Sequence, residues 1–392
     1  MFRNLSCALS WLVLIGCSAP DTLAQDAADR PGEPDSTAAQ RELVQQLGDP
    51  SFFTRERAAE ELASQGMTAK TVLMEAMKDP DLEISWRARR ILNRVLQDAF
   101  EARLAAFIAD VDGTRQHGLP GWKRFRDLVG DRREAREMFA QMMRVEGVLL
   151  SAYEKQAPEM PELFAARVTW LQSHAASRDS DARVVSPEVL AALLFIGSDE
   201  TVKDHSRGVS PLYQLLSQPA VMQSIGTQAQ TPILRALLKK WVTCAASSGS
   251  TYGMKLALKY NLKETGLLQA TKLLERGTTS SSTLHYAMIT VGRFGGEEHV
   301  RLLTPLLENK TVCHRWSNRA LKKEGTINVE VRDAALVVLL RLKGKDPAEY
   351  GFKLLQDNPE TLYYVYTFGF VDDEEREAAH AKWAADSKAD KD

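Results

Sequence analysis

From Thr37 onward the apolar residues fall at helical spacing, and turn signals break them at regular intervals. Leu43 and Leu47 in one segment, and Val72, Leu73, Ala76 and Met77 in a later one, mark the buried stripe of a first helix. Asp49-Pro50 and Asp79-Pro80 end these helices, because proline lacks an N–H and clashes with the preceding turn. A second helix follows each stop, with Ala58, Ala59 and Leu62 in one copy and Ala88, Ile91, Leu92 and Val95 in the other. Asp49, Phe52, Arg57, Ala58 and Leu62 recur as Asp79, Leu82, Arg87, Ala88 and Leu92, a period of 30 residues. A fixed period of this size is the mark of stacked helical hairpins, and the small alanines predict close helix approach.

The pattern returns near the C-terminus. His299 to Leu307 carries Val300, Leu303, Leu306 and Leu307 on one stripe, and Val329 to Leu342 reads as a second-type helix ending at Lys343-Gly344. Between the two ends, helical spacing persists without a fixed period in Glu101 to Val111, Ala135 to Tyr153, Glu162 to His174, Pro187 to Ile196, Pro232 to Cys244, Thr265 to Leu274 and Leu284 to Val291. Gly118 to Gly121, Arg178 to Asp181 and Gly277 to Ser282 have loop composition, and no stretch alternates as a strand would. The expected fold is all-α: an α-solenoid of stacked antiparallel hairpins, irregular in its middle third.

Asp49-Pro50 with Arg57-Ala58, and Val331-Arg332-Asp333-Ala334-Ala335, resemble the HEAT and PBS-lyase-type HEAT-like repeats of armadillo-like α-solenoids. With Leu119-Pro120-Gly121-Trp122, Asp346 to Phe352 and Lys382-Trp383, the chain is similar to a group of exported bacterial proteins built on such repeats. The resemblance implies an interaction scaffold and carries over no catalytic residue. The expected organisation is a signal peptide over 1–24, a disordered linker over 25–36, HEAT-like repeats over 37–113, an irregular helical region over 114–283, further HEAT-like repeats over 284–371, and a terminal helix with a charged tail over 372–392.

The 44% hydrophobic and 26% charged fractions are those of a folded protein. The 50 basic and 52 acidic side chains leave a net charge of −2, so no field draws the chain to nucleic acid. Arg3 followed by the apolar run Leu5 to Ile15 reads as an export signal, too short for a permanent membrane span. Two modes of cleavage compete. Thr22-Leu23-Ala24 fits simple cleavage before Gln25, while Leu14-Ile15-Gly16-Cys17 fits a lipobox that would attach Cys17 to a membrane. Both predict a periplasmic or extracellular protein. The mature chain keeps Cys244 and Cys313, either as a disulfide or as two free thiols.

The chain has no Gly-rich phosphate cradle, nucleophile elbow, paired His at helix spacing or Cys-x-x-Cys motif. Cys313-His314 is the nearest approach to a reactive pair; on a helix these neighbours point about 100° apart, so activation needs a partner from another element. Asp204-His205, with Arg207 and Gly208, reads as a loop able to take a metal or anion, or as a solvated turn. Glu374 and Glu375 offer a cation site, or the first turn of a helix capped by Asp372 and Asp373. Trp122, Phe125, Tyr363, Tyr364, Tyr366, Phe368 and Phe370 would line a groove or seal the last repeat. Arg57 and Arg87 form a basic stripe or bonds between repeats. No catalytic, cofactor-binding or metal residue is assigned. The expectation is a non-enzymatic scaffold for a protein partner; the alternatives are an enzyme or enzyme subunit with its site between Thr114 and Ser282, and a lipid-anchored envelope protein.

Overall fold

The structure is a computed structural model and describes residues 36–175, 185–199, 205–227, 231–247, 251–277, 280–317 and 326–389. The expected signal segment and linker lie outside these residues, as does the loop expected at Arg178 to Asp181. Helix accounts for 73% of the structure, so the protein is all-α in class. The chain divides into two compact units, Met1–Gly118 and Leu119–Asp392.

In unit 1, α1 (Ser36–Gln46), α2 (Phe52–Ser64), α3 (Lys70–Ala76) and α4 (Leu82–Ala109) pack around one core. The 30-residue register is visible in its turns. Ser51 caps α2 by accepting from the Thr54 amide, and Asp81 caps α4 by accepting from Glu83 and Ile84. One turn earlier, Asp49 accepts from the Ser51 amide at 2.7 Å and Asp79 from the Asp81 amide at 2.9 Å. Each carboxylate satisfies backbone donors that the helix start leaves unpaired. Leu47, Ala58, Leu62, Leu73 and Ala88 are fully buried between the helices. At Gly48 a Cβ would come within 2.9 Å of the Ile84 side chain, so only glycine lets the end of α1 approach α4 this closely.

α4 is longer than the sequence predicts. The segment Glu101 to Val111, expected as a separate helix, continues the second helix of the second copy through to Ala109. The physical reason is the absence of any Gly or Pro between Leu82 and Ala109, so nothing interrupts the hydrogen-bond ladder. Beyond it, Asp110 holds the turn: its carboxylate accepts from the Thr114 and Arg115 amides and meets His117 Nε2 at 3.0 Å. Arg103 donates back to the carbonyls of His117 and Gly118.

Unit 2 runs through α5 (Trp122–Val129), α6 (Arg133–Glu154), α7 (Met160–Ala175), α8 (Pro187–Gly197), α9 (His205–Leu216), α10 (Pro219–Thr227), α11 (Thr231–Ser247), α12 (Tyr252–Lys259), α13 (Lys263–Arg276) and α14 (Ser281–Phe294). α15 (Val300–Leu303), β1 (Val312–Ser317), β2 (Thr326–Glu330), α16 (Val331–Leu342), β3 (Asp357–Asn358), β4 (Leu362–Tyr363) and α17 (Asp373–Ala389) complete it. α8 packs on α6 and α11; α12, α13 and α14 follow as consecutive neighbours, and α16 packs on α14. Every residue of α8 from Val189 to Gly197, and of α16 from Val331 to Leu340, is buried. Helices buried on all sides form centres of a core rather than amphipathic walls.

Three expectations are corrected here. Strands exist: β1 pairs antiparallel with β2, and β3 with β4. In β2 the exposed Thr326 and Asn328 alternate with the buried Ile327 and Val329, but five residues running straight into α16 are too few to stand out from its helical pattern. The helix expected from Val329 therefore begins at Val331. The stripe from His299 to Leu307 is not one helix, because Pro305 removes a donor; only Val300–Leu303 is α-helical, between two 3-10 turns.

α17 is held to α16 by charge. Arg376, buried, donates from Nε to both oxygens of the fully buried Asp333 at 3.1 and 3.2 Å, and from Nη2 to the Asn328 carbonyl. It also pairs with Asp373. Asp333 in turn accepts the Glu330 amide at the start of α16, and Arg332 bridges Glu330 and Glu377.

Candidate functional site

The largest apolar side chains left exposed in unit 1 lie at the start of its two capped helices. Phe52 and Phe53 open α2, 65% and 75% exposed, and Leu82 and Trp86 open α4, 84% and 56% exposed. Phe52 and Leu82 occupy the same place in the 30-residue register. Each helix carries an exposed aromatic with an exposed arginine one turn on: Phe53 and Arg57 on α2, Trp86 and Arg90 on α4. The Arg90 guanidinium lies 5.7 Å from the Trp86 ring centre, and Arg55 lies 5.8 Å from that of Phe52. Apolar anchors ringed by cations are the composition of protein-contact hot spots.

The two arginines of the expected stripe are not equivalent. Arg87 is buried and donates to Glu83 on its own helix and to Glu56 on α2, both at 2.7 Å, tying one copy to the other. These bonds hold the Arg87 charge firmly and push the Glu56 carboxyl down. Arg57 is exposed. Arg55 donates to the Asp49 and Pro50 carbonyls and reaches Glu83 at 3.5 Å.

In unit 2, Cys313 and His314 lie on β1 rather than on a helix, and they converge. Neighbours on a regular strand face opposite sides, but the register shifts between Val312 and His314, a β-bulge that re-aims its extra residue. The Cys313 sulfur consequently sits 3.4 Å from Nδ1 of the fully buried His285 on α14, while the His314 ring meets the His285 ring edge to face at 4.9 Å. His285 is the partner that sequence spacing had no means to reveal, being 28 residues away. The constellation is not a thiolate site. Burial, with the Asp333 carboxylate adding to it, pushes the Cys313 thiol up to about 12, and the thiol donates to the Val329 carbonyl at 3.2 Å. A protonated thiol is a poor nucleophile at neutral pH. The surface above it is a shallow depression lined by Val312, Cys313, His314 and Arg315.

Burial shifts both histidines toward the neutral form. Burial pushes His285 well down, with His314 adding to the effect; burial lowers His314, and the Lys255 charge lowers it further. A depressed histidine stabilises the fold above its ordinary range near pH 6.5, and that stability is lost as the pH falls below it. Each such histidine contributes a slope of up to ~1.4 kcal/mol per pH unit there. Urea unfolding of unit 2 at pH 7.5 and 5.5 should show the loss, and a His285→Leu variant should show less of it. Equal pH dependence in both proteins would remove His285 from this role.

Asp372 accepts the Glu375 amide at 3.0 Å, so Glu374 and Glu375 form the first turn of a capped helix, and Glu375 pairs with Lys353. Asp204 lies outside the described residues; the backbone from His205 is the first turn of α9 rather than loop. Trp122 and Phe125 pack with Phe139, and Phe125 with Phe195, whereas Phe368 meets His285 at 4.7 Å and Tyr363 meets Phe368. Phe368 and Phe370 are buried, while Tyr364 and Tyr366 remain partly exposed. Cys244 and Cys313 are free thiols, Cys244 donating to the Ser198 carbonyl. Among the described residues no group of three or more His, Cys, Asp or Glu is arranged to hold a metal ion, and no helix is long and apolar enough to cross a membrane. No protein-family model matches the chain, and no curated protein does.

Proposed function

We propose that the protein is an exported scaffold of HEAT-like helical repeats, an α-solenoid that binds a protein partner through the face carrying Phe53, Arg57, Trp86 and Arg90. The observation that carries this reading is the exposure of large apolar side chains at the starts of both second helices, in a unit whose interior is otherwise well packed. Large water-exposed Phe, Leu and Trp side chains at the starts of neighbouring helices are typical of contact surfaces. The charge of the face selects the partner. Arg57, Arg89 and Arg90 are exposed and form no ion pair among the described residues, so a segment with carboxylates beside apolar side chains fits. The 30-residue recurrence of caps and buried alanines supports the repeat reading, and the apolar run Leu5 to Ile15 supports export.

Selection of random peptides displayed on phage against the immobilised protein tests the contact face. Enriched peptides should combine Asp or Glu with aromatic or aliphatic residues, and Trp86→Ala or Arg90→Ala should weaken their binding about tenfold, ~1.4 kcal/mol. Peptides that bind the Trp86→Ala protein equally well would move the site elsewhere. N-terminal sequencing of the protein recovered from its native cells checks export, with Gln25 or a lipidated Cys17 as the first residue.

A further inference from the structure

Lys255 has an environment that the scaffold reading leaves unused. It projects from α12 into a group of three tyrosines from three helices: its Nζ lies 4.6 Å from the ring centre of Tyr286 on α14, and 5.9 Å from those of Tyr213 on α9 and Tyr252 on its own helix. The Tyr213 and Tyr252 rings stack at 4.5 Å, and the Tyr252 hydroxyl donates to Ser210. The ammonium is half-buried, and burial lowers its pKa. No carboxylate among the described residues pairs with it.

His314 on β1 is near enough for the lysine charge to act on it, and its Nε2 is buried with no hydrogen-bond partner. The Tyr286 hydroxyl is pushed up by burial, with Tyr213 nearby adding to it. Aromatic faces soften the cost of a desolvated ammonium but do not neutralise its charge. Elsewhere in unit 2 buried cations have carboxylate partners, as Arg376 has in Asp333. A cation faced by tyrosine rings, with no carboxylate beside it among the described residues, is the complement of an anionic ligand.

The charge count narrows the class. One lysine balances one negative charge; a phosphate dianion would leave an uncompensated charge in a half-buried place, which is costly. A carboxylate matches. The stacked Tyr213–Tyr252 pair and Tyr286 add flat apolar surface beside it, suited to an aromatic or unsaturated body. We propose that Lys255, with Tyr213 and Tyr286, binds the carboxylate of a small monocarboxylic acid with a flat apolar body. This site lies in unit 2 and does not depend on the peptide face of unit 1.

The test uses the full-length mature chain and isothermal titration calorimetry with benzoate, benzyl alcohol and inorganic phosphate. Benzoate should bind and raise the unfolding temperature, while benzyl alcohol and phosphate should do neither. Lys255→Met should weaken benzoate binding at least about tenfold and Lys255→Arg less, because guanidinium keeps the charge but not the compact shape. Tyr286→Phe, which removes only a hydroxyl, should weaken it several-fold. Absence of benzoate binding, tighter binding of phosphate, or wild-type affinity in Lys255→Met would overturn the proposal. Should Lys255→Met lose its helical circular dichroism, Lys255→Gln and Tyr286→Phe decide, and wild-type affinity in both overturns it.

Discussion

Replacing Asp333 with Asn is expected to destabilise the C-terminal part of unit 2 by ~3–5 kcal/mol, the usual cost of stranding one member of a buried ion pair. Asp333 is fully buried, and its two oxygens receive Arg376 Nε as well as the Glu330 amide. Asn keeps the shape but presents an N–H where an acceptor is required. The Arg376 guanidinium, itself buried, would then retain only Asp373, which is exposed, Glu330 at 3.8 Å and the Asn328 carbonyl. Because Arg376 fastens α17, hydrogen exchange should report release of Asp373–Ala389 before the rest of unit 2. Removing both charges, as Asp333→Leu with Arg376→Met, should recover much of the loss, since an apolar pair of similar volume carries no desolvation penalty. Urea unfolding of the three proteins measures this. A loss below about 1 kcal/mol for Asp333→Asn would mean that water reaches the pair.

The second large effect is expected at the repeated alanines. Ala58 and Ala88 are both wholly inaccessible to solvent and occupy the same register position in α2 and α4. Leucine at either place has no room and should destabilise unit 1 by ~1–3 kcal/mol through forced rotamers and helix displacement. The damage should stay within unit 1, which has its own core, and exchange protection in unit 2 should be unchanged. Arg57→Ala is the proper control, expected to change stability by less than about 0.5 kcal/mol, because the side chain is exposed and forms no ion pair among the described residues. Arg55 would be a poor control, since it closes the turn at Asp49-Pro50. Full protection in Ala58→Leu and Ala88→Leu would refute the shared register.

The helices were legible where apolar spacing was long and punctuated. Asp-Pro stops, Ser51 and Asp81 caps and the Ala-Leu stripe of α2 are local signals, each set by residues within one turn of one another. α5, α9, α10 and α12 were missed; α5, α10 and α12 are only eight, nine and eight residues long, too short for a period to accumulate, and α9 carries Pro211 in its interior. The exposed face of unit 1 was half legible: the arginine positions stood out by their repetition, but Phe52 and Leu82 look like core residues in a sequence, and only burial reveals that they face water.

Residue order by itself determined the all-α class, the 30-residue register and the ends of most helices, because backbone sterics, caps and amphipathic period are short-range effects. The tertiary structure alone decided which polar residues meet. His285, Cys313 and His314 come together from a helix and a bulged strand, and Lys255 joins Tyr213 and Tyr286 from three helices. Such encounters depend on how elements pack across tens of residues, and no local pattern encodes them. The same packing gave Arg87 and Arg57, identical in register, opposite situations: Arg87 is buried against Glu56 of the preceding copy, whereas Arg57 faces solvent and binds no carboxylate among the described residues.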